Sequence, residues 1–83
     1  MLKVNVKRPA DSLLRELKRR GLVIKLETVD ARRKAPHWHF GFARQPGVLE
    51  VTDLGDSCEL KVAANRDGGW AEELARELGD PGG

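Results

Sequence analysis

The segment His37-Trp38-His39-Phe40-Gly41-Phe42 decides the fold. Successive side chains of a strand point to opposite faces, so Trp38, Phe40 and Phe42 share one face and His37, His39 and Gly41 the other. These are three of the four aromatic residues in the chain, which has two Trp, two Phe and no Tyr. Each aromatic carries about 150 to 250 Å² of surface to be buried, so this strand needs a second layer over its aromatic face.

On the N-terminal side, Leu22, Ile24 and Leu26 alternate with Val23, Lys25 and Glu27, which predicts a strand reaching about Val29. The charged stretch Asp30 to Pro36 then interrupts it. Upstream, Leu13, Leu14 and Leu17 fall at helical spacing between Ala10 and Arg20, with Asp11 or Ser12 as N-cap and Gly21 as the left-handed residue after the helix. Leu2, Val4 and Val6 alternate with Lys3, Asn5 and Lys7 as a first strand. On the C-terminal side, Pro46-Gly47 is read as a turn, Val48 to Thr52 as a fourth strand, and Cys58, Leu60, Val62 and Ala64 as a fifth. The last helix runs from Asp67, its cap, to Gly79 and buries Trp70, Leu74 and Leu78.

The predicted order is β-α-β-β-β-β-α: one α+β domain over residues 1–79, with a frayed tail at 80–83. Each strand has one apolar and one polar face. This implies a two-layer domain with a curled, mostly antiparallel sheet and both helices on one face. The other face turns Lys25, Glu27, His37, His39, Glu50 and Glu59 to water. With 83 residues, only one core is affordable, and 34% charged residues mark a heavily charged but foldable chain.

No apolar run approaches the roughly 20 residues of a membrane span, and the alternating N-terminus is unlike a signal peptide, so a cytoplasmic location is expected. Cys58 is the only cysteine and has no cationic neighbour in sequence, which suits a structural thiol. Two Asn, one Gln and a single Met beside abundant charge fit a thermophile's composition.

Charge is distributed unevenly along the chain. Residues 1–44 hold 12 Lys and Arg against 4 Asp and Glu, whereas residues 45–83 hold 3 against 9. Lys7 and Arg8, Lys18, Arg19 and Arg20, and Arg32, Arg33 and Lys34 form three cationic groups. Their convergence would make a phosphate-attracting patch, so the leading expectation is a nucleic-acid-binding or regulatory module, with RNA ahead of DNA. The alternative is self-association, the basic half of one copy meeting the acidic half of another.

His37 and His39 project from one face about 6 to 7 Å apart at Cα. As general acid and general base they could cleave RNA, which makes a His-dependent ribonuclease the third reading. They could also share a metal ion, for which Glu50, Glu27 or Glu59 would be a third ligand and Cys58 has the wrong parity. No local motif selects among these, so the sequence assigns neither a metal nor a cofactor. It carries no nucleotide-binding fingerprint, paired-cysteine motif or nucleophile signature that would support a common enzyme class.

A helix, a meander with a histidine on its second strand and a closing helix resemble, in element order, the small ribonuclease toxins of double-stranded-RNA-binding-like fold. Ala35-Pro36 stands before His37 where those toxins carry Gly-Ser, and there is an extra strand, so the likeness transfers no catalytic role. Phe40-Gly41-Phe42 is similar to the stacking motif of RNA-recognition domains. The element order that follows differs, and exposing these aromatics would bury the charged face instead, so they are assigned to the core.

Overall fold

A computed structural model describes residues 2–28, 35–62 and 69–79. Within them lie β1 (Leu2–Val6), α1 (Ala10–Arg19), β2 (Leu22–Thr28), β3 (His37–Phe42), β4 (Gln45–Asp53), β5 (Cys58–Val62) and α2 (Gly69–Leu78). The expected order is observed. Arg32, Arg33 and Lys34, the end of the fifth strand, the Asp67 cap and the tail at 80–83 lie outside the described residues.

The five strands form one open antiparallel sheet in the order β1-β5-β4-β3-β2. Consecutive strands pair from β2 to β5 as hairpins, and β1 adds beyond β5, so α1 carries the chain from one sheet edge to the other. Ten helical residues rise about 15 Å and four strand spacings span about 19 Å, so helix and flanking turns match the crossing.

The register sets the two faces. Val4, Leu60, Val51 and Trp38 stand in one row and Leu2, Val62, Leu49 and Phe40 in the next. These rows join Leu13 and Leu17 of α1 and Ala71 and Ala75 of α2 in one hydrophobic cluster. Phe40, Leu13, Leu17, Leu49 and Leu60 are fully buried. Phe42 and Trp70 are half-buried at its rim, with ring centroids 5.6 Å apart.

Four expectations are corrected. Regular alternation in β2 fails at a β-bulge between Ile24 and Leu26. One extra residue reverses the parity, so Leu26 comes level with His39 on the outer face and is 55% exposed, while Glu27 comes level with Trp38. There it accepts the Trp38 indole N–H at 3.3 Å.

The β3–β4 turn is Ala43-Arg44, with Ala43 at φ 52°, and Pro46-Gly47 belongs to an irregular stretch of β4. The N-cap of α1 is Pro9, with no side-chain cap; Ser12 instead accepts hydrogen bonds from Arg8. In α2 the fully buried positions are Ala71 and Ala75, while Trp70, Leu74 and Leu78 flank them half-buried, because small residues let the helix approach the sheet closely. Gly21, at φ 96°, follows α1 as expected.

Candidate functional site

Two surfaces collect groups capable of chemistry. The first is the solvent side of α1. Ser12, Arg15 and Arg19 recur at steps of three and four residues along one stripe of α1, and Arg8 joins them from just before the Pro9 N-cap. With Glu16 they line a shallow cleft of about 280 Å³. Arg8 is braced by Ser12, whose hydroxyl accepts from Nε at 3.2 Å and from Nη2 at 2.9 Å. The Arg15–Asp11 approach, 4.0 Å between two largely exposed side chains, leaves the Arg15 guanidinium open to solvent.

Glu16 organises the end of the helix. Its carboxylate accepts from Arg19 at 3.2 and 2.7 Å and from Arg20 at 2.7 Å. Hydrogen bonds from Arg19 and then Arg20 lower its pKa to about 2. Arg20 also pairs with Glu77 of α2, and these two carboxylates raise its own pKa. Arg20 is thereby turned from the cationic stripe toward the acidic helix.

Of the cationic residues expected to act together, Arg8 and Arg19 share the cleft and Lys18 is exposed on the same helix. Arg20 is diverted, Lys7 is exposed just before Arg8, and the 32–34 group is outside the described residues. Arg15 was not among the expected residues. Its signal was the one-turn spacing from Arg19 on the same helix, which grouping by adjacency in sequence overlooks.

The second surface is the sheet face turned away from the core. His37 and His39 sit on β3 with ring centroids 5.6 Å apart and planes tilted by 47°. The β3–β4 register sets Glu50 directly level with His39, and His39 Nε2 lies 3.1 Å from Glu50 Oε2. His37 Nδ1 lies 3.2 Å from the Ala35 carbonyl oxygen. A carbonyl only accepts, so Nδ1 is the donor in this contact.

Of the three carboxylates considered beside these histidines, only Glu50 joins them. Glu27 is taken by Trp38 across the bulge, and Glu59 lies level with Thr52, one strand beyond His37. All three members of the His37, His39 and Glu50 group are half-buried.

A cleft of about 300 Å³ with an apolar floor of Leu22, Phe42, Trp70 and Leu74 lies between the end of α1 and α2. The Arg20–Glu77 pair closes one side. Cys58 is fully buried, with Sγ 3.5 Å from the Arg8 carbonyl oxygen, and desolvation pushes its pKa to about 11. It is a structural thiol.

No helix among the described residues is long and apolar enough to cross a membrane. No protein-family model matches the chain, and no curated protein or solved structure is significantly similar to it.

Proposed function

We propose that the chain is a small nucleic-acid-binding module that grips phosphate groups with the solvent face of α1 and does not read base sequence. The observation that carries this reading is the shared cleft of Arg8, Arg15 and Arg19. Three guanidiniums along one cleft match a run of phosphates better than a point anion. Arginine forms paired hydrogen bonds to phosphate oxygens, and Ser12 holds the half-buried Arg8 side chain in place at the cleft. RNA is the first ligand to test. The alternative of pairing between basic and acidic halves of two copies has less charge at its disposal, because Arg20 and Glu77 meet within one fold.

The test is fluorescence anisotropy of labelled single-stranded and double-stranded RNA over a salt series. For a duplex, three phosphate contacts give a log–log slope of about −3, and Arg15→Gln and Arg19→Gln each reduce its magnitude by about 1. Absence of binding at low salt, or slopes unchanged in both variants, overturns the reading.

A further inference from the structure

We propose that His37, His39 and Glu50 form a binding site for a divalent transition-metal ion of the Zn²⁺ class on the open face of the sheet. The site is independent of the α1 stripe.

The three residues each offer one donor atom, and these atoms lie within 4.8 Å of one another. Their placement follows from backbone geometry: two positions of β3 separated by one residue, and the β4 position level with the second of them. Such a group rests on a hydrogen-bonded sheet and needs no loop rearrangement to assemble. A tetrahedral ion with bonds of about 2.0 to 2.1 Å wants its ligand atoms about 3.3 to 3.5 Å apart. His39 Nε2 and Glu50 Oε2 are already near this spacing at 3.1 Å, and the His37 donor atom lies within 4.8 Å of both.

The Ala35 carbonyl oxygen, 3.2 Å from His37 Nδ1, is an outer hydrogen-bond partner of the kind that ligating histidines have. Two imidazoles with one carboxylate favour borderline ions over Mg²⁺ or Ca²⁺, which prefer all-oxygen shells. Three ligands on a half-buried face leave at least one coordination position to solvent, as in sites that hold a water or an anion, and unlike closed structural sites.

The test is titration of the metal-free full chain with Zn²⁺ against a chromophoric chelator of micromolar affinity, with the visible spectrum of the Co²⁺ form as a second readout. The wild type withdraws Zn²⁺ from the chelator, and its Co²⁺ spectrum intensifies as four-coordinate geometry replaces the aqua ion. His37→Ala, His39→Ala and Glu50→Gln each weaken Zn²⁺ by at least about 10-fold, while Glu59→Gln leaves it unchanged. These side chains lie off the core, so circular dichroism of the variants is expected to match the wild type. Failure of the wild type to compete for Zn²⁺, affinity undiminished in His39→Ala and Glu50→Gln, or a Co²⁺ spectrum like that of the aqua ion each overturns the proposal.

Discussion

The Trp70 indole N–H donates to the Pro46 carbonyl oxygen at 2.7 Å, tying the first turn of α2 to the irregular stretch of β4. Trp70 also packs on Phe42, so one side chain joins the helix to the β3–β4 hairpin. Trp70→Phe keeps the ring contact and removes the donor. Because the Pro46 carbonyl can turn to water, the expected loss is about 0.5 to 1.5 kcal/mol in urea unfolding with an unchanged m-value.

Glu16 predicts an acid-sensitive component of stability. Its folded pKa lies at about 2, below the ordinary 4.5, so its contribution is full above 4.5 and is lost as pH falls toward about 2. Glu16→Gln removes the paired carboxylate. The variant is less stable than wild type near neutral pH, and the two curves converge as pH approaches 2 in thermal scans across that range.

The bulge in β2 makes neighbouring residues respond in opposite ways. Leu26→Lys, on the outer face, changes stability by no more than about 0.5 kcal/mol. Ile24→Ala, packed against the core cluster, costs at least about 1 kcal/mol. A regular strand would make both substitutions costly, so chemical denaturation of the pair reads the register directly.

Cys58 resists reagents while the domain is folded. Iodoacetamide labels it at the rate of global opening, and labelling becomes rapid in denaturant. Burial holds its pKa at about 11 against the ordinary 9.0, so the thiol's contribution to stability is full below 9.0 and is lost as pH rises toward 11. Mass spectrometry of the alkylated chain measures the labelling.

The element order could be read in the sequence because periodicity is local: aromatic residues fall at every second position from Trp38 to Phe42, and α1 repeats Leu13 and Leu17 at one turn. The bulge was hidden because Leu26 continues the apolar alternation of Leu22 and Ile24 in sequence while the pairing shifts beneath it. Pro46-Gly47 carries strong turn chemistry, but the chain reverses three residues earlier at Ala43, a residue with no intrinsic preference for positive φ. The two histidines could be found from their spacing. Their partner could be narrowed only to Glu50, Glu27 or Glu59, since Glu50 is level with His39 through the β3–β4 register, which that unexpected turn sets.

The β2 bulge also bears on the behaviour of the protein in concentrated solution. Among the described residues the sheet is open at both sides, and regular, flat rows of unpaired backbone groups act as templates for fibrillar growth. On β2 the row is broken at Lys25, whose side chain lies across Gly41, and on β1 the charged, exposed Lys3 is the second residue of a five-residue strand. An interrupted, lysine-bearing border offers little continuous pairing to an intruder. The chain can therefore expose both margins of its sheet without inviting edge-to-edge aggregation.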